Sequence, residues 1–219
     1  MDYVNNSQSL FSIVITTFNR AQLLKRALNS LVAQTEKDWE AIIVDDGSTD
    51  DTHTRIFPYL ESYSGIKYIW KAHSGAIPSK NRGIKAAIGK FVAFLDSDDE
   101  YDPVHLESRK KILVDNPSIK FLYGGAKIIG NQCVPDKNNP SATINLKDCV
   151  IGGTFIIERQ ALSALNGFRD IILGSDSDLY ERAKKAGISM AEVHLPTYIY
   201  HHESQESITN KLYVKTKDL

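Results

Sequence analysis

The chain has 219 residues, 42% hydrophobic and 24% charged, enough to bury one sizeable core and short for two large ones. Its formal net charge of −1 gives no basic field to hold nucleic acid, and Arg109, Lys110 and Lys111 read as a solvated helix face. The two cysteines, Cys133 and Cys149, make neither a zinc pattern nor a disulfide framework, which fits a reducing compartment. No apolar run approaches the ~20 residues of a bilayer span. The polar opening MDYVNNSQS lacks the basic and apolar regions of a signal peptide. The expectation is a cytoplasmic protein with no nucleic-acid partner and no transmembrane segment, touching a membrane only peripherally at its inner face.

In chain order, Phe11 to Thr17 (FSIVITT) reads as a strand, with Asn19 as N-cap of a helix from Arg20. Leu23, Leu24, Ala27, Leu28, Leu31 and Val32 give that helix one apolar face. Trp39 to Val44 is a second strand, a helix begins near Asp51, and Ile66 to Trp70 is a third strand. Ser79 to Ile88 is helical, and FVAFLD, Phe91 to Asp96, is a fourth strand. This alternation predicts an α/β fold, a mostly parallel central sheet with helices on both faces. Beyond it, a helix spans Pro103 to Val114, and Lys120–Tyr123 and Ala126–Ile129 are short strands. Asn131 to Asp148 is polar, contains Pro135 and Pro140, and reads as a loop near the functional face. Thr154–Ile157 is a strand, Arg159–Leu165 and Asp178–Ala186 are helices, and Val193–His201 is the last strand. There are no repeats and no low-complexity linker, so residues 1–219 are read as one domain.

Polar clusters follow three of the first four strands: Thr16-Thr17-Phe18-Asn19, Asp45-Asp46-Gly47-Ser48 and Asp96-Ser97-Asp98-Asp99. In a parallel sheet these positions share the carboxyl edge, where open α/β proteins bind ligands. Asp-Asp-Gly-Ser also suits a plain turn, and Asp99 a helix cap. Asp96 and Asp98 leave a fully apolar strand with like charges close together, which calls for a compensating cation. No Gly-x-Gly-x-x-Gly and no Gly-x-x-x-x-Gly-Lys segment supports a dinucleotide or ATP site.

Four segments in this order, SIVITTFNR (12–20), IIVDDGSTDDT (42–52), SKNRGIKAAIGKFVAFLDSDD (79–99) and LNGFRDIILGSDSDLYERAKKAG (165–187), resemble family 2 glycosyltransferases, which have the Rossmann-like GT-A fold. The resemblance covers nearly the whole chain. It implies a nucleotide-binding half over about 11–100 and an acceptor-binding, catalytic-base half over about 101–219. The activity implied is metal-dependent and inverting: transfer of a sugar, most readily from a UDP-sugar, to a hydroxyl of a glycan or lipid-linked sugar acceptor in polysaccharide or glycoconjugate synthesis.

Residue by residue, the resemblance assigns the nucleotide to Thr16, Phe18, Asn19 and Asp45. An aromatic ring can stack on a base, and a carboxylate can accept from a base N–H. Thr16 stands where the family usually has Pro. Lys80 takes the place of an Arg that faces the donor, keeping the charge but not the bidentate fork. Asp96-Ser97-Asp98 resembles the Asp-x-Asp motif, with Asp96 and Ser97 at the donor and Asp98 holding Mn²⁺ or Mg²⁺. Asp176 falls at the catalytic base, Ser175 replaces the usual Glu before it, and Asp178 is the alternative base, read as capping a helix from Leu179. His201 and His202 are candidate metal ligands, with a surface pair as the other reading. Gly152-Gly153-Thr154 offers close backbone approach to the sugar, and the Trp70–Ser74 loop a donor contact. A nucleotidyltransferase is a rival, disfavoured because TTFNRAQLLKRA has no glycine. An inactive binding module is another, kept open by Ser175.

Overall fold

The computed structural model describes residues 9–136, 139, 142–171 and 173–203; the polar opening stretch through residue 8, expected to carry no leader, lies outside them. The elements run β1 (Phe11–Thr17), α1 (Ala21–Val32), β2 (Trp39–Asp45), α2 (Thr52–Ser62), β3 (Ile66–Trp70), α3 (Ala76–Ala86) and β4 (Phe91–Phe94). They continue with β5 (Glu100–Tyr101), α4 (His105–Asp115), β6 (Phe121–Tyr123), β7 (Ala126–Gly130), β8 (Cys133–Pro135) and β9 (Thr143–Asn145). After two short 3₁₀ turns come β10 (Ile156–Glu158), α5 (Arg159–Ala164), α6 (Ser175–Lys185), β11 (Met190–Glu192) and β12 (Tyr198–His202).

Seven strands form the central sheet in the order β11-β6-β10-β4-β1-β2-β3. All are parallel except β10, which runs against both β4 and β6. The expected α/β architecture, a mostly parallel sheet with helices on both faces, is the architecture observed. Alternation along each strand sorts the core into two layers. Ile13, Ile15, Ala41 and Ile43 pack with Leu24, Leu28, Leu31 and Ile56 of α1 and α2. Val14, Ile42, Val44 and Phe94 pack on the opposite face with Leu162, Leu179 and Ala183 of α5 and α6. A smaller sheet, β5-β12-β7, lies beside the main one, and β8 and β9 pair as an antiparallel hairpin.

Several boundaries differ from expectation for physical reasons. α3 starts at Ala76, three residues early, because Gly75 at φ 103° turns the chain and Pro78 fits the first helical turn, where no backbone donor is required. α6 starts at Ser175 behind Gly174 in the left-handed conformation, so Asp178 lies inside the helix rather than capping it. The expected loop from 131 to 148 contains a hairpin and a 3₁₀ turn, while the expected last strand, Val193–His201, begins only at Tyr198 as β12, and β11 lies before its expected start. Among the described residues, no helix is long and apolar enough to cross a membrane.

Candidate active site

A cleft of about 890 Å³ opens along the carboxyl ends of β1, β2 and β4. Thr16 follows Val14 on one face of β1, so it and Phe18 line the cleft, with Arg20 beyond them. Phe18 is 40% exposed, and one face of its ring is stacked on His73, with centroids 4.1 Å apart. Asn19 does not cap α1. Its backbone is left-handed (φ 51°), and its Oδ1 accepts from the Thr49 backbone N–H at 2.8 Å, tying β1's exit to the loop after β2. The Ala21 N–H instead donates to Asp50 Oδ2 at 3.2 Å. An Asn in the left-handed region cannot also supply the extended backbone of an N-cap.

The two acids ending β2 point to opposite faces. Asp45 continues the Ala41/Ile43 face: its Oδ2 accepts from the Tyr68 hydroxyl at 2.6 Å and its Oδ1 from the Ser48 N–H at 2.7 Å. It lines a separate, smaller cavity with His53 and Trp70. Asp46 continues the Ile42/Val44 face into the main cleft, where Ser74 and Gly75 donate backbone N–H groups at 2.9 and 2.7 Å and Lys71 pairs at 2.5 Å. Burial works against its charge, but these donors prevail and hold its carboxyl below the usual range. Strand alternation was the available signal for this division.

Asp96 to Asp99 form a tight turn, closed by the Asp99 N–H donating to the Asp96 carbonyl at 3.0 Å. The turn spreads its three carboxylates over four partners. Asp96 pairs with Lys80 at 3.0 Å, Asp98 with Arg20 at 2.7 Å, and Asp99 accepts from the Tyr198 hydroxyl at 2.6 Å and the His201 N–H at 2.8 Å. Ser97 is buried at the cleft floor. Asp99 is therefore a buried strut between the turn and β12, not a helix cap. Burial raises the carboxyls of both Asp98 and Asp99, Arg20 opposing the shift at Asp98 while neighbouring Asp96 adds to it at each.

Asp176 enters the same cleft from the first turn of α6. Its Oδ2 accepts from the Gly152 N–H at 3.0 Å. A Cβ on Gly152 would sit 2.4 Å from the Asp176 carboxyl carbon, and one on Gly153 would sit 2.1 Å from the Tyr198 hydroxyl. These glycines thus make room for the chain's own side chains. Burial raises the Asp176 carboxyl, Lys80 opposes that, Asp96 adds to it, and hydrogen bonds from Gly152 and Ser175 temper it. The residue standing in place of the usual Glu is thus a hydrogen-bond partner of Asp176. Asp178 is engaged elsewhere, with Arg182 at 2.7 Å and Arg169 at 3.3 Å.

The histidines separate. His201 lines the cleft, its Nε2 2.6 Å from Glu100. His202 is 2% exposed, with Nδ1 2.8 Å from the Asn131 carbonyl, and does not itself line the cleft. Among the described residues, no three His, Cys, Asp or Glu side chains are grouped to hold a metal by themselves. The far wall of the cleft is aliphatic, built by Val134, Ile144, Leu146, Val150, Ile151 and Leu173. The sequence reading did not identify this wall, Asp46 or Arg20.

An open, mostly parallel sheet with an acidic turn and a second acid converging at its carboxyl edge defines a GT-A-type fold. The model of glycosyl transferase family 2 matches residues 12–131, and the chain belongs to that family. It is 32% identical over 160 residues to the UDP-Glc:alpha-D-GlcNAc-diphosphoundecaprenol beta-1,3-glucosyltransferase WfgD of Escherichia coli, covering 70% of this chain and 62% of that relative. It is 26% identical over 192 residues to the putative teichuronic acid biosynthesis glycosyltransferase TuaG of Bacillus subtilis, covering 87% and 69%. Its fold is similar to S. aureus TarS 1-349 in complex with UDP, with TM-score 0.74, 21% identity and coverage of 87% of this chain and 60% of that one. It is also similar to the mannosyltransferase PcManGT from Pyrobaculum calidifontis in complex with GDP-Man and Mn²⁺, with TM-score 0.69, 18% identity and coverage of 90% and 57%. The chain thus spans about three fifths of WfgD and of the TarS chain.

Proposed function

We propose that this chain is an inverting glycosyltransferase unit, residues 1–219 acting as one domain. It moves a sugar from a nucleoside diphosphate sugar, first among them a UDP-sugar, to a hydroxyl of a glycan or lipid-linked sugar acceptor. The observation that carries the reading is Lys80. It pairs with Asp96 at 3.0 Å, and its charge also acts on Asp176, so the donor-side acid and the proposed base belong to one electrostatic unit. The UDP complex of TarS and the UDP-Glc named for WfgD support the donor class, and WfgD's diphosphoundecaprenol acceptor supports a lipid-linked one. A lipid carrier would bring the protein to the cytoplasmic membrane face.

In this reading Thr16, Phe18 and Asp46 hold the nucleotide, with Asn19 bracing their loop; Asp45 supports the same loop from behind. The acceptor oxygen attacks the anomeric carbon and passes its proton to the Asp176 carboxylate. The bond from that carbon to the phosphate oxygen breaks, and its electron pair leaves with the nucleoside diphosphate. A raised but still ionisable carboxyl suits a base working near neutral pH.

The donor set fits Mn²⁺ or Mg²⁺. Asp98 is a carboxylate whose charge burial and Asp96 disfavour and Arg20 supports, and such ions take one or two protein carboxylates and complete their shell with phosphate and water. Asp98 would hold the ion, with His201 facing the same cleft and His202 set aside. Bound there, the ion would offset charge on the departing diphosphate.

A panel of nucleotide sugars with Mn²⁺, read by nucleoside diphosphate release with and without acceptor, tests the proposal. Transfer from one donor, lowered about 10³-fold in a folded Asp176→Asn variant, is expected. Transfer unchanged in that variant, or greater thermal stabilisation by a nucleoside triphosphate than by UDP with Mn²⁺, overturns it.

A further inference from the structure

The carboxylate proposed for the metal already has a cation of the chain's own against it. Arg20 Nη1 lies 2.7 Å from Asp98 Oδ2, and both side chains are 16% exposed, so the contact is screened far less than a surface pair. Arg20 stands where β1 turns into α1 and lines the same cleft wall as Phe18. The turn itself is held independently. Arg26 donates to the Asp98 carbonyl and lies 3.7 Å from Glu100, and Asp99 is fixed by Tyr198 and His201. Arg20 is thus a charge partner for Asp98 in a turn that other residues brace.

We propose that Arg20 exchanges with the metal at Asp98: it holds the carboxylate when no donor is bound, and moves to the donor's diphosphate oxygens when the ion arrives with the nucleotide. This rests on the metal reading above. Charge balance favours the exchange. Arg20 pairs with Asp98 and Lys80 with Asp96, and Asp176 and Asp99 add their acids beside Lys80. A divalent ion and the guanidinium cannot share one carboxylate at contact distance without strong repulsion. The diphosphate arriving with the ion is the nearest new anion, and a guanidinium fork suits phosphate oxygens. When the sugar leaves, the nucleoside diphosphate gains one further negative charge, and the displaced guanidinium is there to meet it. Arg20 then stands in for the ion at Asp98 before the donor binds and becomes a donor contact afterwards.

The test measures Mn²⁺ binding by electron paramagnetic resonance, which does not depend on turnover, in wild type, Arg20→Gln and Arg26→Gln, each with and without UDP. Without UDP, Arg20→Gln is expected to bind Mn²⁺ about tenfold tighter than wild type, because the ion no longer displaces a guanidinium. With UDP the order reverses, since the variant has lost a diphosphate contact. Arg26→Gln shows neither change. Arg20→Lys, which keeps the charge without the fork, falls between wild type and Arg20→Gln in both conditions. Equal Mn²⁺ affinity of wild type and Arg20→Gln without UDP, in proteins that bind Mn²⁺ with UDP, overturns the exchange alone. Mn²⁺ binding by none of the proteins even with UDP overturns the metal reading and the exchange together.

Discussion

The two halves of the cleft are built differently. From β1 to β4 the chain repeats strand and helix, these four strands running parallel to one another, and cleft-lining side chains follow strand ends at Phe18, Asp46 and Asp98. Beyond β4 the strands are short and the antiparallel strand of the central sheet, β10, appears. There the cleft is reached by a 3₁₀ turn at Gly152, a helix N-terminus at Asp176 and the β8–β9 hairpin. The first half presents charge and an aromatic ring; the second sets Asp136, Asp148, Asp176 and Glu181 beside an aliphatic wall. A strongly polar ligand suits the first surface, and a partner carrying apolar groups beside its reacting hydroxyl suits the second.

Substitutions can break this division or sharpen it. Gly152→Ala has the largest expected effect. Its new Cβ would collide with the Asp176 carboxyl, so transfer falls about 100-fold while UDP affinity by calorimetry is unchanged. Equal loss of UDP binding would show that the halves are not separable. Phe18→Ala does the reverse, weakening UDP binding about tenfold through loss of stacking on a 40% exposed ring. Lys80→Met couples the halves. Lys80 holds the raised Asp176 carboxyl down, so its removal raises that carboxyl further. The base is inactive when protonated, and the acidic limb of the kcat profile moves to higher pH. Asp45→Asn is the smallest. It leaves UDP affinity within about twofold, because that carboxylate faces away from the cleft, and lowers Tm by about 2–4 °C through its weakened bond to Tyr68.

Legibility followed the same division. β1 and β3 were readable to the residue, and β2 nearly so, because their β-branched and aromatic residues are bounded by turn residues. The apolar stripe of α1 was readable from its spacing. Asp45 and Asp46 looked equivalent as a dipeptide, but the alternation of Ala41, Ile42, Ile43 and Val44 between the two core layers already assigned them to opposite faces. The hairpin strands β8 and β9 have three residues each, too few for a period to register. His201 and His202 could be told apart only through the pairing of β12 with β5 and β7, a tertiary fact. Arg20 reads as an ordinary helix-start residue until Asp98, 78 positions on, is brought against it.

The reversed strand β10 also has a consequence for the order of assembly. β1, β2 and β3 join as neighbouring strand–helix units, whereas β4 reaches β1 only across about eighty residues and β10 must close a further loop of about sixty residues to set Ile156 opposite Ala93. Loop-closure entropy delays such a pairing. Gly152, four residues before that strand, reaches Asp176 only once β10 has docked. A nascent or partly refolded chain would therefore acquire the proposed nucleotide shelf before the proposed base, and recovery of UDP binding would run ahead of recovery of transfer.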